Sequence, residues 1–210
     1  MTWKPDYATL IELKAYLRDS AAVDDVLLAS SITSASRAID KRCGRQFGLT
    51  GSAVARVYTY AGECIDGRSA LRIDDVQTTT GLAVVVDPGQ DGTFETALTV
   101  STDYDLWPWN AAADGKPWTH ITLRPTAAAR FPWTARGVQV TADFGWTTVP
   151  TIVKQACLIQ ASRFVLRREA PWGIAGSPDM GSELRLLSKL DPDVALMLSA
   201  VSRTWGAVSA

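Results

Sequence analysis

Two hydrophobic periods divide this chain. Near the start, Leu10, Leu13 and Leu17 recur at the spacing of one helix face. Thr9 and Glu12 open that run as a capping box, the hydroxyl accepting from one orphan N–H and the carboxylate from another. A second helix is predicted from Asp24 or Asp25 to Cys43, with Leu28, Ile32, Ala35 and Ile39 as its stripe. Ser31, Ser34 and Ala38 lie beside the stripe and are small enough to let another backbone approach closely. Gly44 is placed to cap the C-terminus.

From about Val54 to Trp146 the period is two. Val54–Tyr60, Gly81–Val86, Phe94–Val100, Thr119–Leu123 and Val138–Phe144 are rich in β-branched and aromatic residues. Turn formers such as Asp87-Pro88-Gly89 and Asp114-Gly115 separate them. The helical period returns at Thr148, a candidate cap, with Val149 and Pro150 in the first turn. Val153, Ala156, Cys157, Phe164 and Val165 form its stripe. Arg163, Arg167 and Arg168 crowd its end, where cations suit the macrodipole. Pro171–Ser182, bearing Gly, Pro and Ser, reads as a mobile linker, and Leu184–Leu190 fits either an extended segment or a short helix. Asp191 then caps a final helix, with Pro192 at its first position and Asp193 favoured by the dipole. Its stripe is Val194, Met197, Leu198, Val201 and Trp205, and Gly206 ends it.

The predicted fold is therefore α+β. A helical domain (1–50 plus 148–170) is split by an inserted antiparallel β module (51–147), and a flexible linker and C-terminal helical arm follow (171–210).

Charge narrows the function. Lys and Arg number 21 against 22 Asp and Glu, a formal net charge of -1. That balance lacks the basic footprint by which counterion release drives general DNA binding. The opening MTWKPDY has no apolar core of a signal peptide, and no apolar run reaches the ~20 residues of a membrane span. Three cysteines, Cys43, Cys64 and Cys157, are odd in number and far apart, as expected of thiols in a reducing cytoplasm.

Catalytic patterns are not found. The one histidine, His120, falls in a predicted strand, and there is no HExxH, CxxC, GxSxG, Walker loop or GxGxxG. Asp74 and Asp75 are adjacent, so on a strand they face opposite ways, which is wrong for paired acid–base work. The run from Asp87 to Glu95 superficially resembles a calcium loop. Gly89 and Leu98 occupy the third and twelfth positions, where an EF-hand needs ligands, so a hairpin connection is the better reading. No catalytic residue, metal site or cofactor is expected. Trp107, Trp109, Trp118, Trp133 and Trp146 concentrate in the β module; core and interface packing is preferred to a sugar-binding platform.

Several stretches together resemble a known family: GLAVVVDPGQDGTFET (81–96), DYDLWPWNAAADGKPWTHITL (103–123) and VQVTADFGWTTVPTIVKQACLIQASRFVLRREAPWG (138–173). With YATLIELKAYL, ASRAIDKRCGRQF and LDPDVALML, their order and spacing resemble head-to-tail connector, or adaptor, proteins of siphophages infecting actinobacteria. The resemblance implies a helical connector domain and a structural, non-enzymatic role in the virion, assembled in the host cytoplasm. It implies a dodecameric ring at the head–tail junction, with the portal above, the next neck or stopper protein below, and the genome passing through without sequence-specific contact. It assigns portal docking to the arm, through Asp191, Pro192, Asp193, Val194, Met197, Leu198, Val201 and Trp205. Subunit contacts are expected to pair Arg163, Arg167 and Arg168 with Asp24 or Asp25 of a neighbour. The alternatives are a carbohydrate-binding or other Trp-rich binding module, a carboxylate-dependent hydrolase, or a different neck ring such as a stopper or tail terminator.

Overall fold

The computed structural model describes residues 3–18, 25–169, 174–175, 184–185 and 191–203. The chain divides into two compact units, one of residues 1–3 and 48–148, the other of 4–47 and 149–210. The first is built of β-strands and the second chiefly of helices, so the fold is α+β.

In the β unit two four-stranded antiparallel sheets share one core. The first runs β1 (Val54–Tyr58), β8 (Val138–Ala142), β4 (Ala83–Val86), β5 (Thr96–Leu98). The second runs β2 (Cys64–Ile65), β3 (Arg68–Val76), β7 (Trp118–Leu123), β6 (Tyr104–Trp107). Register aligns the apolar faces. Val84 lies opposite Val140 and Leu98, while Leu71 and Leu106 both face Ile121. These side chains, with Ile73, Val86, Val138 and Phe144, form the buried core.

β3 is the longest strand of the unit, nine residues, and it lies outside the predicted segments. Its sequence RSALRIDDV hides the alternation because the outer positions hold Arg68, Arg72 and Asp74 while Leu71 and Ile73 face inward. The Asp66-Gly67 pair, both at positive φ, turns β2 into β3.

In the helical unit α1 (Leu10–Leu17) starts on the expected capping box, Thr9 accepting from the N–H of Glu12 at 3.2 Å and Glu12 from that of Thr9 at 2.8 Å. α2 (Asp25–Cys43) buries Leu28, Ile32, Ala35 and Ile39, and Gly44 follows it at φ 61°. α3 (Thr151–Glu169) begins after Pro150 and buries Val153, Ala156, Cys157 and Ala161. Small residues face one another where α2 meets α3, and Ser36 Oγ sits 3.5 Å from Cys157 Sγ. Tyr7 is fully buried beside them. Its hydroxyl donates to Asp40 and accepts from the Phe47 N–H at 2.9 Å, and burial pushes its pKa far up.

Most of the expected flexible linker lies outside the described residues, and the expected C-terminal helical arm is described over 191–203. Ile174–Ala175 (β9) pairs with Leu184–Arg185 (β10), and α4 (Pro192–Ser199) belongs to the helical unit. Val194 and Leu198 are fully buried. An eight-residue helix is too short to be stable alone in water, so its apolar face is covered by packing.

Candidate functional site

His120, Asp74 and Asp75, the residues weighed for catalysis in the sequence, each have partners within the chain. His120 Nδ1 lies 2.9 Å from Thr119 Oγ1 and Nε2 lies 3.4 Å from Glu63 Oε1, with Trp107 packed edge-on at 5.2 Å. Both ring nitrogens are thus occupied. Asp74 faces Arg56 and the Tyr58 hydroxyl, whereas Asp75 accepts from the buried indole N–H of Trp146 at 3.0 Å. The neighbouring carboxylates work on different sides of the strand.

Asp87 tests the calcium-loop likeness. Its Oδ1 accepts from the N–H of Gln90 at 2.7 Å and of Asp91 at 3.3 Å, and its Oδ2 from Gly92 at 2.8 Å. That carboxylate pins the β4–β5 hairpin, with its oxygens turned onto backbone donors. An open cleft of about 500 Å³ beside it is walled by Val57, Phe94 and Arg136. Among the described residues there is no group of three or more His, Cys, Asp or Glu that could hold a metal, and no helix long and apolar enough to cross a membrane.

What the molecule offers instead is surface. On α4, Val194 and Leu198 point inward while Asp193 and Leu196 are exposed, Leu196 at 75%, and Met197 is half-buried. Asp191 caps the helix by accepting from the Asp193 N–H at 2.9 Å, and its other oxygen takes Arg163 at 2.8 Å. Pro192 is exposed and Val201 half-buried; Trp205 lies outside the described residues.

Of the residues expected between subunits, Arg163 is paired within the chain to Asp191, and Asp25 to Lys14. Arg167 is half-buried. Asp24 and the Arg168 side chain lie outside what is described. The six described tryptophans have separate surroundings. Trp146 is buried, Trp118 packs on the β core, Trp107 meets His120, Trp109 lies near Arg68, Trp3 covers Arg56 and Trp133 leans on Tyr60.

Neither a protein-family profile nor a curated protein sequence matches this chain. Solved structures do. A chain from the neck of an empty GTA particle, computed with C6 symmetry, superposes with TM-score 0.53 and 21% identity over 98% of this chain and 96% of that one. A chain from the neck of the native GTA particle, computed with C12 symmetry, gives 0.52 and 20% over the same shares. A third, from the virion of a native gene transfer agent particle, gives 0.52 and 22%. The chain has the fold of these neck chains.

The neck fold embraces both units, since the superposition leaves almost none of either chain aside. The split of the helices by the β module is therefore a property of the shared fold. Among the described residues, Val26, Ile11, Leu196 and Trp133 are the most exposed large hydrophobic side chains.

Proposed function

We propose that this chain is a non-enzymatic structural protein of a phage-like particle, an adaptor that forms a ring at the head–tail junction between the portal and the next neck protein. The observation that carries the reading is the end-to-end likeness to chains of particle necks, 98% of this chain against 96% of theirs. The sequence resemblance to siphophage adaptors supports the same position in the particle. A dodecamer is the proposed ring, consistent with a neck chain of this fold solved with C12 symmetry. The near-neutral charge suits a passage through which DNA must slide without being held.

Portal docking is assigned to α4. With Val194 and Leu198 committed to the helical unit, the docking face reduces to Asp193, Leu196, Met197 and the exposed Pro192. Leu196 and Met197 lie three and four residues after Asp193, so each neighbours it on the helix surface. Subunit contacts through Arg167 and the end of α3 belong to the same proposal.

The test is reconstitution. Purified chain mixed with portal-bearing heads should add an axial ring visible by electron microscopy, and Leu196→Asp should abolish attachment while its circular dichroism and melting stay unchanged. A chain that instead binds only the tail-side end of an already assembled neck would be a stopper or terminator, and the adaptor reading would fall.

A further inference from the structure

Leu28, Ile32, Ala35 and Ile39 bury one face of α2, and the opposite face carries Ser30, Ser34, Arg37 and Lys41. Those four follow one another at steps of four, three and four residues, so they form a single stripe along the helix. Ser30, Ser34 and Lys41 are exposed and Arg37 is half-buried. From the first to the last of them the helix rises about 16 Å. Beyond its first turn α2 exposes no carboxylate, and its one exposed large hydrophobic residue, Val26, stands before the stripe begins.

Cations gather where the stripe ends. Lys41 and Arg42 are exposed, and neither enters an ion pair among the described residues. Arg37 donates to the carbonyls of Lys4 and Pro5 at 2.9 and 2.7 Å, which sets the exposed Lys4 beside the same turn. Arg45 and Arg203, both half-buried, lie at this end too, the Arg203 N–H donating to the Cys43 carbonyl at 2.8 Å. Two carboxylates oppose these six cations. Asp40 is taken by Tyr7 and Arg37, and Asp6 accepts from the Thr33 hydroxyl at 2.9 Å. The formal balance of this face is thus +4, where the whole chain stands at -1. The helix dipole accounts for cations in the last turn of α2. It does not account for the row of hydroxyls, free of acid, that leads up to them.

Cations and hydroxyls without an apolar anchor are the donor set of phosphate contacts, whereas a protein interface is built around an apolar centre. We infer that this face of α2 contacts the phosphate backbone of double-stranded DNA, through Lys4, Arg37, Lys41 and Arg42 with Ser30 and Ser34 beside them. The inference rests on the ring reading, which puts a duplex inside the neck. Contacts to phosphates alone carry no sequence information and let a duplex slide. Four cations per copy are few, so one copy binds weakly and the ring guides the duplex by number.

Fluorescence anisotropy of a short labelled duplex, titrated with the full-length chain across a salt series, decides this. Binding at low salt should be the same for unrelated sequences and should fall with a log–log slope of about −3 to −4. Lys41→Ala with Arg42→Ala should weaken it by about tenfold or more and make the slope shallower by about 2. Ser34→Glu, which sets a carboxylate in the middle of the stripe, should weaken it as well. Lys116→Ala with Arg130→Ala removes the same charge from exposed positions of the β unit and should change little. No binding at low salt would overturn the inference. Equal losses in the two double variants would do the same, because only net charge would then matter. So would poly-glutamate that displaces the duplex at equal charge, since the face would then be a dock for an acidic protein. Attachment to portal-bearing heads is read separately by the reconstitution above. A chain that attaches yet ignores the duplex loses this inference and keeps the adaptor reading.

Discussion

At the residue scale, Arg56 shows how one side chain joins three kinds of attraction. Its guanidinium carbon lies 4.3 Å from the centre of the Phe144 ring and 4.7 Å from that of Trp3, while Nη1 reaches Asp74 Oδ2 at 2.6 Å. The Tyr58 hydroxyl donates to the same carboxylate oxygen at 3.0 Å, and burial pushes the Tyr58 pKa upward, so it remains a donor. The pair is partly exposed and by itself contributes little. The flat cation between two rings contributes more, since only a planar guanidinium can stack on both while reaching a carboxylate. Arg56→Lys keeps the charge and loses the stacking. It should cost the β unit about 1–2 kcal/mol, read as an earlier urea midpoint with unchanged slope. A midpoint equal to wild type would mean that charge alone matters there.

At the element scale, the start of α1 was legible from four letters. The Thr9–Glu12 box is present, and it also recruits Lys154, whose Nζ lies 2.7 Å from Glu12 Oε1. That lysine, the Thr9 backbone N–H and the Thr9 hydroxyl hold the Glu12 carboxyl down to about 2 from an ordinary 4.5. A depressed carboxyl stabilises the fold fully above 4.5 and loses that contribution as pH falls through about 2. Wild type should therefore lose thermal stability across that acid window. Glu12→Gln should be less stable at neutral pH and show a flatter acid limb in melts taken at successive pH values. Parallel limbs would remove Glu12 from the account. The strands were less legible. β4 and β8 showed their period because one face is uniformly apolar, whereas β3 alternates Arg68, Arg72 and Asp74 with its core residues and reads as a polar loop. The partners of Asp75 and Arg163 were out of reach for another reason. Trp146 and Asp191 lie 71 and 28 residues away, and no local period encodes such pairs.

At the scale of the whole molecule, the sequence showed that helices at both ends enclose a β module, but not where the last helix belongs. An apolar stripe at Val194, Met197, Leu198 and Val201 fits a partner's groove as well as the chain's own core, and periodicity cannot tell the two apart. Burial separates them: Val194 and Leu198 are inside, Met197 and Val201 lie halfway, and Leu196 is out. α4 is held further by Arg163 on its cap and by the Arg203 N–H on the Cys43 carbonyl. It therefore closes the helical unit while turning one face outward, so a change on the inner face should act on stability and one on the outer face on docking. Leu198→Ala removes a fully buried side chain and should cost about 2–5 kcal/mol. A typical domain has only about 5–15 kcal/mol in hand, so the loss should be plain. The β unit has its own core from Tyr60 to Phe144, and Leu198 is not among its residues. In hydrogen exchange the amides of α2 and α3 should lose protection while those of β3 and β7 keep theirs. Equal loss in the strands would show that the two units unfold as one. Unchanged protection in the helices would show that α4 contributes little to the helical unit's stability.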